Sequence, residues 1–422
     1  MYKKSVIKNG IRVVSHDMPD RQSAALGIWI DVGSRYESKK ISGIAHFLEH
    51  LIFKGSKKYS CRQIKESIEG IGGALNGFTS EEFTAYIAKF PANCFDRILD
   101  VLSDMVLNPL FPPEEIEKER TVIIEEIKMY KDLPQSYVSQ LLDGMLWPKH
   151  PLGENIAGTI ESVKGLGRKD LRAFKEKHYS APHILIAACG RLDQDKILGK
   201  IEKRFGNTAV VKRGHYIGVK EDQSHPAIKV FNKDTEQTHL ALGFHSLHRG
   251  HPDKHALGLL HVILGGNMSS RLFNEVREKK GLAYEIGTGI ARLHDAGAFI
   301  VHAGIDNSKV KPALEVILRE LERVKEKLVT EDEFRRAREF YTGQLTLALE
   351  DTMDHMLWVG ESMIALGKTY TLEDIINEVN EVTRQDVQRL ARQIFNKNKV
   401  NLALIGPLKE QERELHKCIS SY

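Results

Sequence analysis

Apolar positions recur along this chain with two periods, one near two residues and one near 3.6, and each predicts its own elements. Residues 6–16 alternate about Asn9-Gly10, which predicts two short strands joined as a hairpin. Residues 24–32 (Ala-Ala-Leu-Gly-Ile-Trp-Ile-Asp-Val) read as another strand, and residues 184–189 as a short interior strand. Ser42 stands before a helical pattern over 43–53 that Gly55 stops. Residues 72–90 alternate in the strand manner and begin with a Gly-Gly pair. Pro112-Pro113 opens a long helix reaching about Lys131, and Pro134 ends it. The stretch 207–224 is polar, basic and glycine-containing, and carries the linker.

The order then repeats. Residues 238–245 match the strand at 24–31, 255–265 match the helix at 43–53, and 331–347 match the helix that starts at Glu114. A period of that size indicates two duplicated domains, not a solenoid. Strand runs with helices gathered between them, without βαβ alternation, predict an α+β fold. Two homologous domains are expected, each a mainly antiparallel β-sheet packed with α-helices. They span 1–210 and 227–422, with 211–226 as linker.

Composition narrows the function. The 422 residues hold 61 Lys+Arg against 57 Asp+Glu, a formal charge of +4, with 41% hydrophobic residues. No dense basic tract interleaved with aromatics stands out, which argues against a nucleic-acid partner. No segment reaches the ~18 apolar residues of a membrane span. Cys61, Cys94, Cys189 and Cys418 lie far apart with no C-x-x-C pair, as expected for reduced thiols in a cytoplasmic protein.

The chemistry concentrates in Gly43-Ile-Ala-His46-Phe-Leu-Glu49-His50-Leu-Ile-Phe. His46 and His50 are four apart, so both imidazoles project from one helix face, the spacing of two nitrogen ligands for zinc. Glu49 sits beside that face, where a carboxylate can take a proton from a metal-polarised water. Two histidines at this spacing also occur on ordinary surface helices. Here the flanks Ile44, Phe47, Leu48, Leu51 and Ile52 predict a half-buried helix, where such polar groups are costly without a partner. A third ligand must come from elsewhere. Glu119 and Glu126 lie two turns apart on one face of the long helix, with apolar Val122, Ile123 and Ile127, whereas Glu125 points about 100° away. That face favours Glu126 as ligand and Glu119 as a carboxylate behind a ligand or the base. Spacing alone does not choose among Glu114, Glu115, Glu117, Glu119, Glu125 and Glu126.

His46-Phe-Leu-Glu49-His50 followed by Glu119-Arg and then Glu126 resembles the pitrilysin and mitochondrial processing peptidase family. In that family the third ligand lies 76 positions after the second histidine, which is Glu126 here. Gly72-Gly73-Ala-Leu-Asn76-Gly-Phe78-Thr79 resembles the family's edge strand beside the metal, and the likeness continues through His150-Pro-Leu-Gly153 and from Ser270 to Tyr284. The duplicate lacks the ligand set: His50 falls over His261, but Glu49 over Leu260, His46 over Leu257, Glu119 over Ala337 and Glu126 over Gln344. His261 is then an ordinary packed or surface histidine.

The resemblance implies a zinc endopeptidase or oligopeptidase with one Zn2+ per chain, a peptide substrate and a homodimer enclosing a chamber. It implies that Arg277 and Tyr284 contact substrate near the scissile bond of the facing site. Gly73, Asn76 and Phe78 are expected to bind substrate, through close backbone approach, an amide for pairing and a neighbouring pocket. Two alternatives stand beside this: a non-catalytic peptide-binding scaffold, and a protease for one precursor. In processing members two acidic residues follow the glutamate ligand by 10 and 14 positions; those places hold Ser136 and Gln140 here, so the resemblance does not extend to that specificity.

Overall fold

Six strands pair into a first sheet: β1 (Tyr2–Val6), β2 (Arg12–Asp17), β3 (Ser23–Ile30), β4 (Ala74–Thr79), β5 (Thr84–Pro91) and β6 (Ile184–Gly190). They are ordered β1-β2-β6-β3-β5-β4 in a computed structural model that describes residues 1–212 and 214–421. Arg213 in the expected linker and Tyr422 at the end of the expected second domain lie outside the described residues. A second sheet contains β7 (Ala227–Asn232), β8 (Gln237–His245), β9 (Ala283–Arg292), β10 (Gly297–Asp306) and β11 (Asn401–Gly406), ordered β7-β11-β8-β10-β9. Strand for strand this repeats β2-β6-β3-β5-β4. The likeness includes one parallel pair in each, β2 with β6 and β7 with β11, among antiparallel neighbours. The fold is α+β, as the element pattern predicts.

Among the helices are α1 (Ile44–Ile52), α2 (Pro113–Asp132), α3 (Pro134–Leu146), α4 (Lys254–Leu264), α5 (Glu331–Ala348) and α6 (Thr352–Leu366). The chain forms two compact units. One takes Met1–Lys128, Glu154–Ile217 and Leu347–Tyr370, and the other takes Met129–Gly153, Gly218–Thr346 and the chain from Thr371 onward. Each unit therefore borrows a helix from the other half of the sequence. α6 lies on β3 and β6 of the first sheet, and α3 lies on β8 and β11 of the second.

Strand alternation explains how β3 serves two layers. Leu26, Ile28 and Ile30 join Phe47, Leu48, Leu51 and Ile52 of α1 in one core. Ala25 and Trp29, on the other face, pack with Met356, Val359 and Met363 of α6. Both faces are covered, which is why β3 is apolar almost throughout.

Three local expectations shift. The first hairpin pairs Val6 with Arg12 across a five-residue loop, because Ile7 and Ile11 turn inward and are buried. The alternating run 72–90 is two strands, β4 and β5, antiparallel around a turn at 80–83. Pro134 does more than end α2: it occupies the first turn of α3, where its missing N–H costs nothing.

Candidate metal centre

Seven of the nine residues of α1 are buried, and Ile44, Phe47, Leu48, Leu51 and Ile52 are each at most 1% exposed. Burial of such side chains is worth about 1.5–3 kcal/mol each, ample to hold a helix that also carries buried polar groups. His46 and His50 emerge on its open edge, with ring centroids 4.6 Å apart.

Opposite them, α2 buries Ile116, Glu119, Ile123 and Ile127 and leaves Val122 48% exposed, so Val122 is not part of the apolar face expected of it. Glu126 Oε2 lies 3.7 Å from Nε2 of His46 and 3.7 Å from Nε2 of His50. All three donor atoms fall within 4.8 Å of one another, and no other such group occurs among the described residues. Donors around a tetrahedral zinc stand about 3.4 Å apart, so this set fits the ion. Glu125 points to solvent and pairs with Lys128 at 2.7 Å.

The surrounding carboxylates divide by partner. Glu119 Oε2 is 3.0 Å from His50 Nδ1, placed to accept a hydrogen bond from that nitrogen and leave Nε2 facing Glu126. Lys54 Nζ, 2.6 Å from Glu119 Oε1, balances the charge; His50 and Lys54 together hold the Glu119 carboxyl below its usual range against its burial. Glu49 is 9% exposed and accepts a hydrogen bond from Thr79 Oγ1 at 3.4 Å. Burial raises its carboxyl above the usual range, Glu126 adds to this, and His50 and Thr79 oppose it. For His50 burial works against the cation, but Glu119, Glu49 and Glu126 outweigh it and raise the imidazole. Burial, then His50, takes His46 down to about 3.

β4 is the edge strand beside this centre. Gly77 and Thr79 face α1: a Cβ on Gly77 would come within 3.0 Å of Glu49 Oε1 and 2.9 Å of the Phe53 ring. The sequence placed Gly77 and Thr79 on the strand beside the metal without a contact of their own, and it did not point to Lys54. Lys54 had a signal, four residues beyond His50 on the same helical line; Gly77 and Thr79 show only the two-residue period. Phe78 points the other way, against Trp29 and Phe83 at centroid distances of 5.7 and 6.3 Å, so its ring does not line the face toward the metal helix. The exposed Asn76 turns its oxygen onto the N–H of Gly77 at 2.9 Å. Gly73 fits closely between the carbonyls of Ile68 and Lys89.

In the second unit, Arg277 sits in a π-helical turn (Phe273–Glu278) with its guanidinium 4.8 Å from the Phe273 ring centre and 5.5 Å from that of Tyr284. Such turns gather at functional places. Tyr284 is the second residue of β9, the strand corresponding to β4, and is 74% exposed.

Known proteins resemble this chain along nearly all its length. The sequence model of the insulinase family (Peptidase family M16) matches residues 12–160, and that of the peptidase M16 inactive domain matches residues 165–341. A Bacillus subtilis protein named as an uncharacterized zinc protease, YmxG, is 39% identical over 407 residues, 96% of this chain and 98% of that one. A Streptomyces coelicolor protein, likewise named as a zinc protease, is 34% identical over 425 residues, 99% of this chain and 92% of that one. The crystal structure of a protease from Helicobacter pylori has the same fold, with a TM-score of 0.91 at 24% identity, covering 96% of this chain and 99% of that one. With its HxxEH helix, the glutamate two helical turns beyond Glu119 and its duplicated second half, this chain belongs to peptidase family M16, the insulinase and pitrilysin family of metallopeptidases.

Proposed function

We propose that the protein is a zinc endopeptidase or oligopeptidase that hydrolyses peptides or unfolded segments, with one zinc per chain held by His46, His50 and Glu126. The convergence of those three donors beside the buried Glu49 carries the reading. Zinc held there supplies Lewis acidity toward the scissile carbonyl and the attacking water. Glu49 takes one proton from that water as its oxygen bonds to the carbonyl carbon. As the C–N bond breaks, Glu49 passes the proton to the leaving amine. Glu119 keeps His50 in the tautomer and orientation that ligation needs. The outer edge of β4 offers main-chain groups to an extended peptide, a mode tolerant of sequence.

Two copies form a homodimer around a chamber, and Arg277 and Tyr284 of one copy donate hydrogen bonds to the substrate in the site of the other. Their stacking, the exposure of Tyr284 and the distance of 3.9 Å from Arg277 to its nearest carboxylate, Glu278, support a role outside the fold's own packing. Four cysteines without disulfides accord with a cytoplasmic location.

A mixed peptide library and a folded protein, each incubated with the enzyme, test the reading. Peptides are expected to be cut, the folded protein spared, and a chelator to abolish cutting that zinc restores; cleavage indifferent to the chelator overturns the zinc mechanism. Mixing inactive Glu49→Gln chains with inactive Arg277→Ala chains is expected to restore activity. Mixtures that stay inactive overturn shared sites.

A further inference from the structure

α1 begins without an ordinary cap. Its N-cap residue is Gly43, with φ +89°, and no side chain of its own closes the first turn. A side chain at this place has no room: a Cβ on Gly43 would lie 2.5 Å from the carbonyl oxygen of Ala157. The first amides of a helix need acceptors all the same, most of all in a buried helix. They find one in a residue six positions upstream. Glu37 Oε2 accepts from the N–H of Gly43 at 2.7 Å, and Oε1 accepts from the N–H of Ala45 at 2.8 Å.

This carboxyl is 8% exposed, and no Lys or Arg pairs with it among the described residues. Burial pushes it up to about 8, and the two amide bonds only partly offset that. Such a group is expensive to keep in place. What it secures is the turn immediately before the first ligand, since Ala45 directly precedes His46.

The same short segment grips the edge strand's turn. The N–H groups of Ser34 and Arg35 donate to the carbonyls of Ser80 and Glu81, and Arg35 meets Glu82 at 2.7 Å with both side chains fully buried. Residues 33–37 thus form a bracket. One arm holds the turn that follows Thr79, which touches Glu49; the other holds the start of the helix that carries His46, Glu49 and His50.

We infer that Glu37 is a positioning residue of the metal centre: by clamping the first turn of α1, it sets the placement of His46 and His50 relative to Glu126 and of Glu49 relative to β4. The inference rests on the reading of His46, His50 and Glu126 as metal ligands. It goes beyond that reading because Glu37 is not one of the three ligands and acts on them through the backbone of α1.

Cobalt as a spectroscopic probe separates this role from plain stability. Wild type, Glu37→Gln, Glu37→Ala and Glu126→Gln are titrated with Co2+, following the visible d–d bands, and thermal melting is recorded alongside. Glu37→Gln keeps the size of the side chain but presents an N–H2 to one of the two amides. It is expected to bind Co2+ about tenfold more weakly with shifted bands, in the range seen for residues that orient metal ligands. Its kcat should fall more than its KM rises, and Glu37→Ala should be worse in each respect. Wild-type affinity, bands and kcat in folded Glu37→Gln, whatever its melting temperature, overturn the positioning role. Should neither variant fold, hydrogen exchange of wild type decides: the amides of Gly43 and Ala45 are expected to be protected with and without metal, and rapid exchange of both in the metal-free protein overturns the clamp. Wild type that binds no Co2+ discredits the metal centre instead, whereas binding lost only in Glu126→Gln upholds the centre and rejects Glu37.

Discussion

Helices α1 and α4 occupy corresponding places in the two units, between the corresponding strands of matching sheets, and differ in what they bury. In α4, Leu257 and Leu260 stand where α1 has His46 and Glu49, at 1% and 0% exposure. On α5 the place of Glu119 is the buried Ala337, and that of Glu126 is the exposed Gln344. His261, the counterpart of His50, gives its Nδ1 to Thr288 Oγ1 at 2.8 Å, not to a carboxylate. The scaffold therefore folds around leucine and alanine at these positions. Folding alone does not call for two histidines and two buried glutamates in the first unit, and their cost points to chemistry.

Substitutions that erase or preserve this difference test it, beginning with the largest effect. Glu126→Gln gives α2 the residue that α5 already carries; metal analysis is expected to show zinc falling from about one per chain to none, with turnover lost. Zinc retained in full would remove Glu126 from the ligand set. Glu49→Gln is expected to keep its zinc while kcat on a peptide drops about a thousandfold, within the range for a lost general base. Normal turnover in that variant would show that the proton moves by another route. Glu119→Gln, read by competition with a chelator, should weaken zinc binding by about 10–100-fold, since His50 then loses its charged partner. Unchanged affinity would reduce Glu119 to a packing residue.

The smallest effect belongs to the second unit. His261→Gln should leave zinc content and turnover as they are, and a loss of either would contradict the division of labour. Its signature lies in stability. Burial, then Arg292 and His302, holds His261 down to about 4, against 6.5 for an ordinary imidazole. As pH falls from 6.5 toward 4 the unfolded chain takes up the proton first, so the wild type loses stability across that window. The variant lacks this contribution. Denaturant unfolding at pH 7 and pH 4.5 should show a smaller drop for it, by about 1–2 kcal/mol.

The sequence by itself determined the parts that rest on short-range periodicity. Four-residue spacing puts His46 and His50 on one helix face, and seven-residue spacing puts Glu119 and Glu126 on one face, because helical geometry follows from the local backbone. The repeat of elements likewise announced two like sheets. Periodicity left open which of six glutamates faces the histidines, since all lie on one glutamate-rich stretch; the family resemblance pointed to Glu126, and the approach of α2 to α1 puts its carboxylate 3.7 Å from both imidazoles. Only the tertiary structure decided that Phe78 turns away from Glu49 while Gly77 turns toward it: alternation says that neighbours oppose each other, not which face meets the helix. The exchange of α3 and α6 between sheets was likewise out of reach, because an apolar stripe states that a helix is buried without naming what covers it. Glu37 illustrates the same limit at closer range. Its two bonds to α1 depend on a turn that folds the chain back on itself, and a turn of that kind leaves no period in the sequence to read.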